Sequence, residues 1–207
     1  LLQAPRVDSV PFSWSIRVKL SSSVATSCPL SCTSCHEVPT KGFAFFACLR
    51  QSQQPTVIRE VSVEIMKNKI EEIAYVAFER LLKVYESKTE GGIIFPKYTH
   101  GQDKGKLRVS EQEMRFAFVE EMRKKHPDWY YSVETPTDKK YLFKGEPCII
   151  PEEEQGGQSA QFDLTIYADS KGDKVLAHIE FKAHNPKEHD MKKDFLKLAE
   201  DKSVDTG

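Results

Sequence analysis

Asp163 and the triplet Glu180-Phe181-Lys182 are the residues of this chain whose types and spacing point to chemistry. Two carboxylates and an ammonium gathered on one face of a sheet can hold a hard cation and a phosphate. Whether they gather depends on strand register. The runs FDLTIYA (162 to 168) and VLAHIEFKA (175 to 183) alternate with period two, and the DSKGD between them is turn-rich. A turn centred between Lys171 and Gly172 pairs Phe162 with Phe181, Leu164 with Ile179, Ile166 with Ala177 and Ala168 with Val175. That face is entirely apolar, and a slip of one residue destroys the match. The same register sets Asp163 across from Glu180 on the opposite face, with Lys182 on the same side. Like charges directly opposed destabilise a sheet, so the pair implies a bound cation or a raised pKa. Lys-Gly is a weak two-residue hairpin loop, which leaves a longer turn and a shifted register open.

Three further elements must position this hairpin. SEQEMRFAFVEEMRKKH (110 to 126) reads as a helix, with Ser110 and Glu113 forming a capping box and Met114, Ala117, Phe118 and Met122 an apolar stripe. WYYSVE (129 to 134) reads as a strand and HDMKKDFLKLAED (189 to 201) as a second helix. Glu111 and Glu113 compete for the role of a functional helix carboxylate. Giving Glu113 to the cap leaves Glu111, one turn before Met114, on the flank of the buried stripe. Acid at a helix N-terminus is also favourable without any function.

An Asp at the start of one strand, a Glu-x-Lys on the next and a Glu on a preceding helix resemble the PD-(D/E)xK nuclease superfamily, the restriction-endonuclease-like fold. The resemblance covers residues 110 to 201. It implies an α/β fold with an αβββα core, its mixed sheet flanked by helices. No Pro precedes Asp163, where the sequence is Gln161-Phe162, and nothing after Asp201 reads as a fourth strand. The core is therefore expected to be truncated before that strand. The function implied is metal-dependent hydrolysis of phosphodiester bonds, with DNA as the nucleic acid. Asp163, Glu180 and Glu111 would hold Mg²⁺ or Mn²⁺, and Lys182 would orient the attacking water or stabilise charge on the phosphate. His184 and Asn185, just past the strand, are further candidates for phosphate contact, with a turn or cap role as their plainer reading. A noncatalytic nucleic-acid-binding or protein-interaction module is the alternative.

Composition sets outer bounds. The chain has 207 residues, 39% hydrophobic and 29% charged, with a net charge of −1, which does not advertise nucleic acid. Local basic runs are therefore needed: Lys104, Lys106 and Arg108; Arg123, Lys124 and Lys125; and Lys187, Lys192 and Lys193. The acidic, turn-forming CIIPEEEQGG (148 to 157) reads as a surface loop that repels phosphate.

The first 65 residues differ from the rest. Only Asp8 and Glu37 are acidic before Glu60, Ser, Pro and Cys crowd the stretch, and the first Met is Met66. This segment is expected to be a poorly structured or non-native tail, with an organellar transit segment as the second reading, and residues 66 to 207 the nuclease-like domain. Cys32-Thr-Ser-Cys35-His36 has the spacing of covalent haem attachment, and Cys28 would complete a zinc ligand set; incidental cysteines are the plainer reading. With Cys148 alone in the remaining chain, an intracellular, cytoplasmic setting is expected. From Val61 to Ser87, Ile65, Ile70, Ile73, Ala74, Ala77, Phe78, Leu81, Leu82 and Tyr85 recur at helical spacing. Packing against the sheet is the first reading of this helix and homodimerisation the second. GGIIF (91 to 95) reads as a short strand or extended arm, and Gly101 to Lys106 fails the phosphate-loop spacing. No apolar run is long enough to cross a membrane.

Overall fold

The computed structural model describes residues 14–21, 43–48, 56–87, 92–142, 157–183 and 187–200. Among them the elements follow in the order β1 (Trp14–Leu20), β2 (Phe43–Cys48), α1 (Thr56–Ser87), α2 (Glu111–Lys125), β3 (Tyr130–Tyr141), β4 (Gln158–Tyr167), β5 (Val175–Ala183) and α3 (Glu188–Glu200). The strands form one sheet in the order β2-β1-β5-β4-β3. β1, β5, β4 and β3 run antiparallel to their neighbours, and β2 joins β1 in parallel. The protein is thus a mixed α/β structure.

Alternation along β1 explains the layers. Trp14, Ile16, Val18 and Leu20 are buried with Leu164, Ile166, Ala177, Ile179 and Phe181 in the core beneath α1 and α2. Ser15, Arg17 and Lys19 point to the other face and are equally buried, Arg17 against Asp194 of α3. One face of the sheet is therefore dry, and the other carries a buried polar layer under α3. α1 contributes Ile70, Ile73, Ala74, Ala77, Phe78 and Leu81 to the dry core, so packing accounts for these positions of its stripe, while Ile65 stays exposed. Phe95, in the extended arm before α2, stacks on Trp14 at 6.4 Å.

Several sequence expectations change. Two stretches of the supposedly poorly structured first 65 residues, Trp14–Leu20 and Phe43–Cys48, are strands of the sheet. The edge of β5 left for a later strand is paired by β1, from Trp14↔Ala183 to Leu20↔Ala177. β3 continues beyond Glu134 to Tyr141 through Pro136, which is tolerated because β3 is an edge strand. The hairpin keeps the expected pairs Leu164↔Ile179 and Ile166↔Ala177, but Tyr167, not Ala168, pairs with Val175. The turn is longer than two residues. The Asp169 carboxylate accepts from the backbone N–H groups of Lys171 and Lys174, and Gly172 takes a φ of 79° beside the Tyr167 ring. CIIPEEEQGG, apart from Gly157, and the Cys28 to His36 group lie outside the described residues.

Ile16 is fully buried at the centre of this arrangement, whereas Ile94 is 85% exposed. Ile16→Ala is expected to lower the unfolding free energy in urea by about 2–5 kcal/mol, and Ile94→Ala by no more than about 0.5 kcal/mol. Equal effects would mean that β1 is not part of the core.

Candidate functional site

The N-terminus of α2 is built as its sequence dictates. Ser110 caps it, and Glu113 accepts hydrogen bonds from the Ser110 backbone N–H at 2.7 Å and hydroxyl at 2.6 Å, closing a capping box. The Trp14 indole N–H donates to the Ser110 carbonyl at 3.4 Å and ties this end to β1. Glu113 is thus committed to the cap, and Glu111 is the carboxylate turned towards the hairpin, 3.8 Å from the Lys182 ammonium. Burial raises the Glu111 pKa, Lys182 pulls it back and Asp163 pushes it further up.

Asp163 sits where the sheet opens. The β4–β5 ladder stops at Leu164↔Ile179, and beyond it the Asp163 carboxylate, in place of a backbone carbonyl, accepts the Phe181 N–H at 2.8 Å. On the other side, the β3–β4 pairing skips Glu134, which adopts a φ of 53°. The chain turns over at this point. Phe162 stacks on the His178 ring at 4.1 Å, while Phe181 packs edge-on against Phe118 of α2 at 5.6 Å. The expected pairing of Phe162 with Phe181 on one dry face is therefore corrected, because a side chain inserted between the strands replaces the regular ladder. The second Asp163 oxygen accepts from Arg115 of α2 at 2.7 Å.

Glu180 and Lys182 point into the polar layer. The Glu180 side chain is 1% exposed and lies 2.5 Å from the Lys197 ammonium of α3. Lys182 reaches Asp194 at 3.3 Å, and Asp194 also holds Arg17 at 2.9 Å and Lys197 at 3.3 Å. Burial lowers the Lys182 pKa, but Asp194, Glu111, Asp163 and Glu180 together outweigh it and leave the ammonium above its usual value. Burial also lowers Arg17, against the pull of Asp194 and Glu180.

Glu111, Asp163, Glu180 and Lys182 are thus neighbours, yet each carboxylate is held by a protein cation: Glu111 by Lys182, Asp163 by Arg115 and Glu180 by Lys197. Among the described residues no three His, Cys, Asp or Glu side chains converge closely enough to hold a metal ion. Oxygen donors suit Mg²⁺ by type, but as arranged Asp163, Glu180 and Glu111 do not fit it.

Two open clefts border the cluster. One, of about 420 Å³, is lined by Glu134, Gln161, Asp163, Lys193, Asp194 and Lys197 among others, and a second, of about 380 Å³, by Glu111, Lys182, Lys187, Lys193 and Asp194 among others. Lys193 and Asp194 line both, so α3 stands between them. Of the basic runs, only the last borders these clefts. Lys106 pairs with Asp103, Lys124 with Glu121 and Lys125 with Glu72 on the surface. His184 and Asn185 lie outside the described residues.

Arg17, Arg115, Asp194 and Lys197 were not singled out by residue type. A signal existed on α3, where Asp190, Asp194, Lys197 and Leu198 share one helical face, charged where a core-facing stripe should be apolar. No protein-family model, curated protein or solved structure matches this chain. Among the described residues no helix is long and apolar enough to cross a membrane.

Burial pushes the Glu180 carboxyl from 4.5 to about 8 against the pull of Lys197. A carboxyl raised in the fold binds more protons there than in the unfolded chain, so its contribution to stability falls as pH rises from about 4.5 through about 8. Urea unfolding from pH 5 to pH 8 should show this decline, and Glu180→Gln should reduce it by on the order of a few kcal/mol. Identical pH slopes in the two proteins would contradict the assignment.

Proposed function

We propose that the chain is a nuclease of the PD-(D/E)xK kind, which binds nucleic acid, DNA by resemblance, and hydrolyses its phosphodiester bonds. One observation carries the reading: Glu111 from α2, Asp163 from β4, and Glu180 and Lys182 from β5 are drawn to one end of the β4–β5 pair, beside clefts edged by Lys187 and Lys193. The order helix, three antiparallel strands, helix from α2 to α3 supports the restriction-endonuclease-like fold. A cytoplasmic setting goes with this proposal, since Cys148 is alone after residue 65.

In this reading the phosphodiester lies in the clefts, drawn by Lys182, Lys187 and Lys193. Lys182, held by Asp194 and Glu111, keeps its proton and stabilises the negative charge that develops on the phosphate. Glu111, partly exposed and raised in pKa, accepts a proton from the attacking water. Arg115 fixes Asp163, whose carboxylate holds the strands apart beside the cleft. The Mg²⁺ or Mn²⁺ that the resemblance implies has no converging set of donors among the described residues.

The noncatalytic reading, a nucleic-acid-binding or protein-interaction module on the same fold, is favoured by one observation: protein cations already occupy each carboxylate. Plasmid and oligonucleotide substrates separate the two. The wild-type protein is expected to cut DNA, and Asp163→Ala and Lys182→Ala each to slow cutting by about 10²-fold or more, measured with and without Mg²⁺ or Mn²⁺. Cutting that persists in both variants would overturn the site, whereas binding without cutting would establish the module.

A further inference from the structure

We propose that the Lys197 ammonium is the resident cation of this site, holding the place that a divalent metal would otherwise take beside Glu180. The inference does not require the nuclease reading to be correct. Lys197 Nζ lies 2.5 Å from Glu180 Oε1, 3.1 Å from the Gln161 carbonyl oxygen and 3.3 Å from Asp194 Oδ1. An ammonium has three N–H donors and no acceptor, and three oxygens surround this one. A backbone carbonyl and two carboxylates are also the donors a hard divalent ion takes.

The surroundings support a fixed occupant. The side chains of Glu180, Asp194 and Lys197 are 1%, 6% and 11% exposed, so the cation is held inside the fold. Arg17 pairs with Asp194 from β1, and Lys182 approaches the same carboxylate from β5. The other carboxylates of the expected metal set are engaged elsewhere, Asp163 by Arg115 and Glu111 by Lys182. A divalent ion added to these cations would raise the positive charge of a buried cluster whose carboxylates are already paired, which is unfavourable at low dielectric. The opposition of Asp163 and Glu180, which as a sequence pattern calls for a cation, is met from within the chain by Arg115 and Lys197.

The test replaces the ammonium with a neutral side chain of similar length and asks whether a metal takes its place. Mn²⁺ is titrated into the wild-type protein, Glu180→Gln, Lys197→Met and the double variant Lys197→Met/Glu180→Gln, with free Mn²⁺ read by electron paramagnetic resonance and thermal midpoints recorded in Mn²⁺ and in EDTA. The wild-type protein is expected to bind no Mn²⁺ in a Glu180-dependent way, and its midpoint to be the same in Mn²⁺ and EDTA. Lys197→Met is expected to melt at a lower temperature in EDTA, to bind one Mn²⁺ and to recover part of its lost midpoint when Mn²⁺ is present. The double variant is expected to lose both the binding and the recovery. Glu180-dependent binding of Mn²⁺ by the wild-type protein would overturn the proposal, as would a Lys197→Met protein that Mn²⁺ neither binds nor restores. Failure of the nuclease reading would appear separately, as absence of DNA cutting with these metal measurements unchanged.

Discussion

A carboxyl that is 1% exposed, Glu180, can carry charge only beside a positive partner within the fold, and Lys197 of α3 meets that need at 2.5 Å. Removing water from both groups costs several kcal/mol each, and leaving either one alone costs about 3–5 kcal/mol. The charge on β5 therefore decides where α3 can dock. It decides the facing residues of α3 as well: Asp194 must serve Arg17, Lys182 and Lys197 together. The polar layer under α3 is thus one connected network, while the layer under α1 and α2 is held by apolar packing.

Asp163 imposes the second constraint. Its carboxylate takes the backbone N–H of Phe181, which a regular ladder would have given to a carbonyl, and this separates β4 from β5 at the end nearest the clefts. Arg115 holds the other oxygen and binds α2 to the opening. The irregular backbone at Glu134 lies beside it on β3, where Arg115 also comes within 3.7 Å of the Glu134 carboxylate. Regular strands would have closed this end. A half-buried charge in a central strand keeps it open.

Local rules carried some elements almost unchanged from residue pattern to structure. Ser110 and Glu113 form the capping box that their spacing implies, because both partners lie within one helical turn. Leu164↔Ile179 and Ile166↔Ala177 pair as alternation requires, because a slip would expose an entire apolar face. The boundary of the hairpin was harder to read. Asp169 collects several backbone N–H groups into a longer turn, a local polar effect that the apolar pattern does not register. β1 was missed because the composition of its surroundings outweighed seven alternating residues, Trp14 to Leu20. Arg17 and Lys19 look like solvent-facing residues until a helix is placed over them.

By itself the sequence determined the three helices, the central hairpin pairs Leu164↔Ile179 and Ile166↔Ala177, and the presence of Asp163, Glu111 and Glu180-x-Lys182 as groups able to meet. These follow from hydrogen-bonding and hydrophobic rules that act over a few residues. Only the tertiary structure decided which cation each carboxylate receives: Arg115 for Asp163, Lys182 for Glu111 and Lys197 for Glu180. Nor could the chain alone reveal that β1 lies beside β5 with Arg17 opposite Glu180. The physical reason is that the energy of a buried charge depends on every group brought within a few ångströms of it, and those groups come from α2, β1 and α3, which are distant along the chain.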